Sequence, residues 1–151
     1  MNVIVDTSIW SLALRRKEAG KIPEVLELKE LIRELRAKII GPIRQEILSG
    51  VREERQFQVL RERLRAFEDL EIISADYERA AEFFNTCRKK GVQGSNTDFL
   101  ICAVSERYQF PILSTDKDFQ NFSARLPIRL HSPRQFEGGE HSTEDATRED
   151  N

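Results

Sequence analysis

Apolar residues along this chain follow two rhythms. Short aliphatic runs occur at Val3-Ile4-Val5, Ile39-Ile40, Ile72-Ile73, Ile112-Leu113 and Ile128 to Leu130. Runs of that length and composition predict strands buried in a sheet. Between them, apolar residues recur at helical spacing: Val25, Leu28, Leu31, Ile32 and Leu35, then Phe57, Leu60, Leu64 and Phe67. These predict amphipathic helices opening near Pro23 and Glu53. Further helices are expected from Thr7 to about Arg16, from Pro42 to Gly50, after a Ser74 cap, and from Asn96 or Thr97 to about Tyr108. The helix after Ser74 should turn Tyr77, Ala81 and Phe84 inward, while the run Phe99 to Val104 is apolar nearly all round and predicts a buried helix. Phe119 and Phe122 anchor a short one. Strands alternating with helices imply an α/β domain with a parallel sheet covered on both faces.

Composition narrows this reading. At 151 residues a single domain is expected, with a core large enough to stand without staples. The cysteines, Cys87 and Cys102, sit in helical segments without framework spacing, which suits free thiols in a reducing compartment. The N-terminus lacks a signal-peptide pattern and no apolar run is long enough to span a bilayer. The expectation is a soluble, cytoplasmic protein that uses no membrane. The net charge of −2 conceals an acidic end: residues 137–151 carry six acids and one base, leaving 23 bases and 20 acids in residues 1–136. That end has no apolar periodicity and is expected to be a disordered tail following a domain of residues 1–136.

Four of the acids stand out by position. Asp6 follows the first strand and Asp116 nearly follows the strand ending at Leu113, so a parallel sheet would deliver both to one edge. Asp98 starts the buried helix. Glu46, spaced with Ile43 and Ile47, is expected to point inward. Asp is common at helix starts, so Asp6, Asp98 and Asp116 each have a capping reading as well. Taken together, four carboxylates at one edge repel, and would stay ionised only around a cation. Mg²⁺ or Mn²⁺ suits oxygen ligands; the isolated His131 and His141 give no zinc pattern. An all-carboxylate site is the usual equipment of phosphoryl chemistry.

The segments Val5-Asp6-Thr7-Ser8-Ile9-Trp10, Glu46 in a helix after a short strand, Asn96-Thr97-Asp98, and Leu113-Ser114-Thr115-Asp116-Lys117-Asp118-Phe119 resemble, in that order, those of the PIN domain. Within that family, the size and the Asp-Thr-Ser start are similar to the VapC-type ribonuclease toxins of prokaryotic toxin–antitoxin pairs. The resemblance covers about residues 2–136. It implies a three-layer α/β/α fold with a central parallel sheet of about four or five short strands. It further implies a Mg²⁺- or Mn²⁺-dependent endoribonuclease with Asp6, Glu46, Asp98 and Asp116 as catalytic and metal-binding acids. Asp118 would be an auxiliary acid, and Thr7 and Ser8 hydroxyls that order the site. A cognate antitoxin and a homodimer are the implied partners.

An RNA substrate needs cations, and two clusters offer them: Arg15 and Arg16 at the end of the first helix, and Arg88, Lys89 and Lys90 before the loop that leads to Asp98. Each also reads as a solvated helix C-terminus. A non-catalytic RNA- or protein-binding module on the same fold is the main alternative. A phosphoacceptor domain fits less well because Lys117 adjoins Asp116, and a haloacid-dehalogenase-like phosphatase would need an acid where Ser8 stands.

Overall fold

The computed structural model describes residues 1–15 and 19–135. Its centre is strand β1, Val3–Val5, flanked in parallel by β2, Ala37–Lys38, and β3, Ile112–Leu113. Val3 pairs with Ala37, while Ile4 and Val5 pair with Ile112 and Leu113. Successive strand residues face opposite ways, and all three β1 residues are fully buried, so helices cover the sheet on both faces. This is a three-layer α/β/α arrangement.

The helices are α1, Thr7–Arg15; α2, Pro23–Arg33; α3, Gly41–Leu48; α4, Glu54–Leu64; α5, Ser74–Lys89; α6, Asn96–Tyr108; and α7, Asp118–Ser123, with a 3₁₀ turn at Ala19–Lys21. Proline near the start of α2 and α3 costs no hydrogen bond there, and its fixed φ suits the first turn. α1 packs on α2 and α3, and α5 runs along α6. Every residue from Phe99 to Ser105 in α6 is buried, as its uniformly apolar composition predicts. Trp10 belongs to the core: its indole N–H donates to the Val5 carbonyl at 2.9 Å and its ring meets Phe67 edge-on.

Several boundaries differ from the sequence reading. The strand expected at residues 71–73 does not form, and a single parallel bridge from Ile39 reaches Asp69 just before it; the strand expected at 127–130 is reduced to one bridge, Ile112 to Leu130; and β2 itself lies at Ala37–Lys38 rather than Ile39-Ile40. α4 stops at Leu64, short of Phe67, where the Arg44 guanidinium takes the Leu64 and Phe67 carbonyls at 2.8 and 2.5 Å and thereby satisfies the helix end. The cap of α5 is Ile73, not Ser74; its N–H donates to the Asp76 carboxylate at 3.0 Å. The buried face of α5 is Asp76, Ala80, Phe83 and Cys87, which leaves Tyr77 and Ala81 exposed and Phe84 half-buried. The phase differs because Asp76, a carboxylate that patterning places outside, is buried against Arg107 at 2.7 and 2.8 Å. The Arg15 side chain, Arg16 and the acidic tail lie outside the described residues. No helix among the described residues is long and apolar enough to cross a membrane.

Candidate active site

The sheet sets the geometry. The Asp6 amide donates to the Leu113 carbonyl at 2.9 Å, so the ends of β1 and β3 lie side by side. Asp6, one residue past β1, is only 6% exposed. Its Oδ2 accepts from Ser8 Oγ at 3.1 Å and from Ser114 Oγ at 2.8 Å. Ser114 Oγ in turn accepts the Asp116 N–H at 3.0 Å, and Asp116 Oδ1 accepts the Asp118 N–H at 2.9 Å. One hydroxyl thus couples the first carboxylate to the loop that carries the last. Asp116 and Asp118 are exposed at the rim.

Asp98 is the third residue of α6. Its amide donates to Ser95 Oγ at 3.1 Å and its Oδ2 accepts the Ser95 N–H at 3.0 Å, a reciprocal cap that fixes both the helix start and the carboxylate. The capping reading of Asp98 is therefore correct for one oxygen. Among the described residues Oδ1 has no hydrogen bond. Glu46 does not point inward with Ile43 and Ile47. It is exposed, and its Oε2 accepts Thr7 Oγ1–H at 2.7 Å. Ile43 and Ile47 fill the buried stripe one turn apart, and Glu46 lies at its edge, within reach of the start of α1.

Electrostatics ties three of these acids together. Burial pushes the Asp6 pKa above its ordinary value of 3.8; the Ser114, Ser8 and Thr7 hydrogen bonds oppose this, and the charge of Asp116 adds to the rise. Asp98 is also raised, by burial against its Ser95 hydrogen bonds, with the charges of Asp6 and Asp116 adding. Two other buried acids behave oppositely. Burial would raise Glu27, but Arg134 and His131 outweigh it and hold the carboxyl at about 2. Asp76 is lowered the same way by Arg107. Among the described residues no Lys, Arg or His forms an ion pair with Asp6, Glu46, Asp98 or Asp116. Buried carboxylates are normally paired, so Asp6 stands apart.

The donor chemistry at this edge is oxygen only, which fits a hard divalent cation. Among the described residues no three His, Cys, Asp or Glu side chains form a ready-made cage. Mg²⁺ does not need one, since it keeps several waters and binds through one or two carboxylates. Cys102 lies one turn beyond Asp98 on α6; burial, with the charges of Asp98, Cys87 and Asp6, pushes its thiol pKa well up, an environment unlike that of a reactive thiolate.

Ser114 and Ser95, which patterning does not single out, are the hydroxyls that hold Asp6 and Asp98 in the candidate site. The signal for Ser114 was its position: a hydroxyl just past an apolar strand, two residues from an acid, mirroring Ser8 and Asp6. Of the proposed cations, Arg88, Lys89 and Lys90 are exposed at the end of α5, where Arg88 lies 5.7 Å from the Phe84 ring. His131 sits against Glu27 at 2.9 Å and takes no part in the acid cluster.

The PIN domain family model matches residues 3–124. FitAcB from Neisseria gonorrhoeae superposes with a TM-score of 0.69 at 18% identity, covering 87% of this chain and 97% of that one. VapBC2 from Rickettsia felis, bound to a DNA fragment from its promoter, gives 0.65 at 17% identity over 87% and 98%. A toxin–antitoxin complex from Klebsiella pneumoniae gives 0.60 at 18% identity over 89% and 100%. At such low identity the superpositions establish a shared fold and no more. No curated protein matches the chain significantly.

Proposed function

The chain belongs to the PIN domain family, and we propose that it is a divalent-metal-dependent endoribonuclease acting as the toxin of a toxin–antitoxin pair. The observation that carries the reading is Asp6: a buried carboxylate bonded to hydroxyls, facing Asp98 and Asp116, with no cationic partner among the described residues. The residues that would hold Mg²⁺ or Mn²⁺ are Asp6, Asp98 and Asp116, with Glu46 presented by Thr7. A bound ion would supply a water of lowered pKa and neutralise charge on the phosphodiester. The protein's own part is positioning. Ser114 and Ser8 orient Asp6, and Ser95 holds Asp98 so that its Oδ1 remains to meet water or substrate. No side-chain nucleophile is used. Arg88, Lys89 and Lys90 supply phosphate contacts on the Asp98 side.

The Klebsiella pneumoniae structure is a toxin–antitoxin complex, and the common fold supports a cognate antitoxin as partner here. We extend the reading to a cytoplasmic homodimer, to be checked by sedimentation. The test of activity is RNA cleavage by purified protein with Mg²⁺ or Mn²⁺. Asp6→Asn and Asp98→Asn should each lose cutting by at least 100-fold, about 2.7 kcal/mol of transition-state stabilisation. Undiminished cutting by both variants, or by wild type in EDTA, contradicts the reading. The alternative is a non-catalytic RNA- or protein-binding module on the same fold, which would need no metal. Calorimetric Mg²⁺ titration separates the two, since the nuclease reading requires binding that Asp116→Asn weakens.

A further inference from the structure

Between α3, α5 and the start of α6 lies an open groove of about 590 Å³. Gln45 and Thr97 line it and immediately precede Glu46 and Asp98 in the chain, so the groove is built on the two helix stretches that carry those acids. Its other walls include Tyr77, Phe84, Asn85 and Asn96. Two properties define its chemistry. No charged side chain lines it, in a chain that is 33% charged. Its polar groups are amides, a hydroxyl and a phenol, and among the described residues those of Gln45, Tyr77, Asn96 and Thr97 make no hydrogen bond. Tyr77 is 57% exposed, so its ring lies at the surface of the groove and not in the core.

We propose that this groove is a nucleobase subsite for an unpaired RNA residue flanking the scissile phosphate; it rests on the ribonuclease reading above. A neutral groove rejects the phosphate itself. Aromatic walls and side-chain amides are what a splayed-out base requires: a face to stack on and donors and acceptors for its edge. The phosphate that follows such a base also finds a counter-charge. A smaller cleft of about 220 Å³ shares Phe84 and Phe99 with the groove and is lined by Arg88, which carries the chain's positive charge to the outer end. The neutral groove is thus continuous through Phe84 and Phe99 with a cleft that holds a cation, and it is built on the same helices, α3 and α6, that carry Glu46 and Asp98. The groove would give the enzyme a preference for the residue beside its cut.

The test uses a short single-stranded RNA carrying 2-aminopurine, bound to full-length Asp6→Asn protein in EDTA so that nothing is cut. Binding should quench the fluorophore at one position in the RNA. Adding Tyr77→Ala should abolish the quench and weaken binding roughly 5- to 100-fold, the range for loss of one stacked base. Tyr77→Phe should keep both, and Asn96→Ala should change which base is preferred. Tyr77 is exposed, so these variants leave the core intact. Unchanged affinity and quenching in Tyr77→Ala overturns the proposal. So does a Tyr77→Ala protein that merely dissociates from dimer to monomer with RNA affinity intact, because the groove is then covered by a second copy. The two readings fail separately. Quenching without cleavage by wild type sinks the nuclease reading and leaves the base site. Cleavage whose position ignores Tyr77 and Asn96 sinks the base site alone.

Discussion

Three acids buried among the described residues meet two different fates, and the difference is chemical. Glu27 and Asp76 each face an arginine and are stabilised as anions; Asp6 faces two serine hydroxyls and other acids. Glu27 illustrates the sign. Its pKa is about 2 in the folded chain against an ordinary 4.5, so its stabilisation is complete above pH 4.5 and is lost as pH falls toward 2. The loss is on the order of 3 kcal/mol. Melting temperatures between pH 2 and 5 should show this acid limb, and Glu27→Gln should flatten it. Ser114 is the other decisive residue, since it bonds both Asp6 and the Asp116 amide. Ser114→Ala should cost about 10- to 100-fold in activity, the usual price of a lost orienting partner. It should also raise the Mg²⁺ concentration needed for half-maximal rate, a shift that a change in stability alone would not produce, and Ser114→Thr should restore both.

At the scale of elements, the start of α6 shows how local chemistry becomes site geometry. Ser95 and Asp98 cap the helix reciprocally, and the preceding loop is pinned by Gly94, where an added Cβ would stand 2.6 Å from Phe122 and 3.0 Å from Phe99. Gly94→Ala must push either the loop or the rings aside, at about 1–3 kcal/mol. A lower melting temperature together with reduced cleavage is expected; a lower melting temperature with normal cleavage would mean that the loop does not position Asp98. Helix existence was legible in the sequence because capping residues, prolines and apolar spacing are local signals. Helix phase was less so. The α5 face was misread by one residue because Asp76 is buried against Arg107, 31 positions away. Glu46 was placed inward because it neighbours Ile47, yet its orientation follows Thr7, 39 positions away. The strand expected at residues 71–73 is absent and that at 127–130 is a single bridge for a related reason: whether an apolar run joins a sheet depends on its neighbour, which periodicity does not name.

For the whole molecule, the parallel sheet converts sequence distance into proximity. Asp6 and Ser114 are 108 positions apart and share a hydrogen bond because the β1 and β3 ends are adjacent. Strand-end acids were therefore readable as a set, whereas the serines that hold them were not, since hydroxyls are common and their partners emerge only in three dimensions. The folded chain keeps at this edge a carboxylate, Asp6, whose pKa is raised and which has no cationic partner among the described residues, a cost to stability unless a cation joins it. Thermal melts of wild type and Asp6→Asn in EDTA and in Mg²⁺ test this most directly. Mg²⁺ at ten times its Kd should stabilise wild type by about 1.4 kcal/mol, roughly 3–6 °C for a domain of this size. Asp6→Asn should melt above wild type in EDTA and gain nothing from Mg²⁺. Equal responses of the two proteins to Mg²⁺, or an Asp6→Asn variant that melts below wild type in EDTA, would contradict the account.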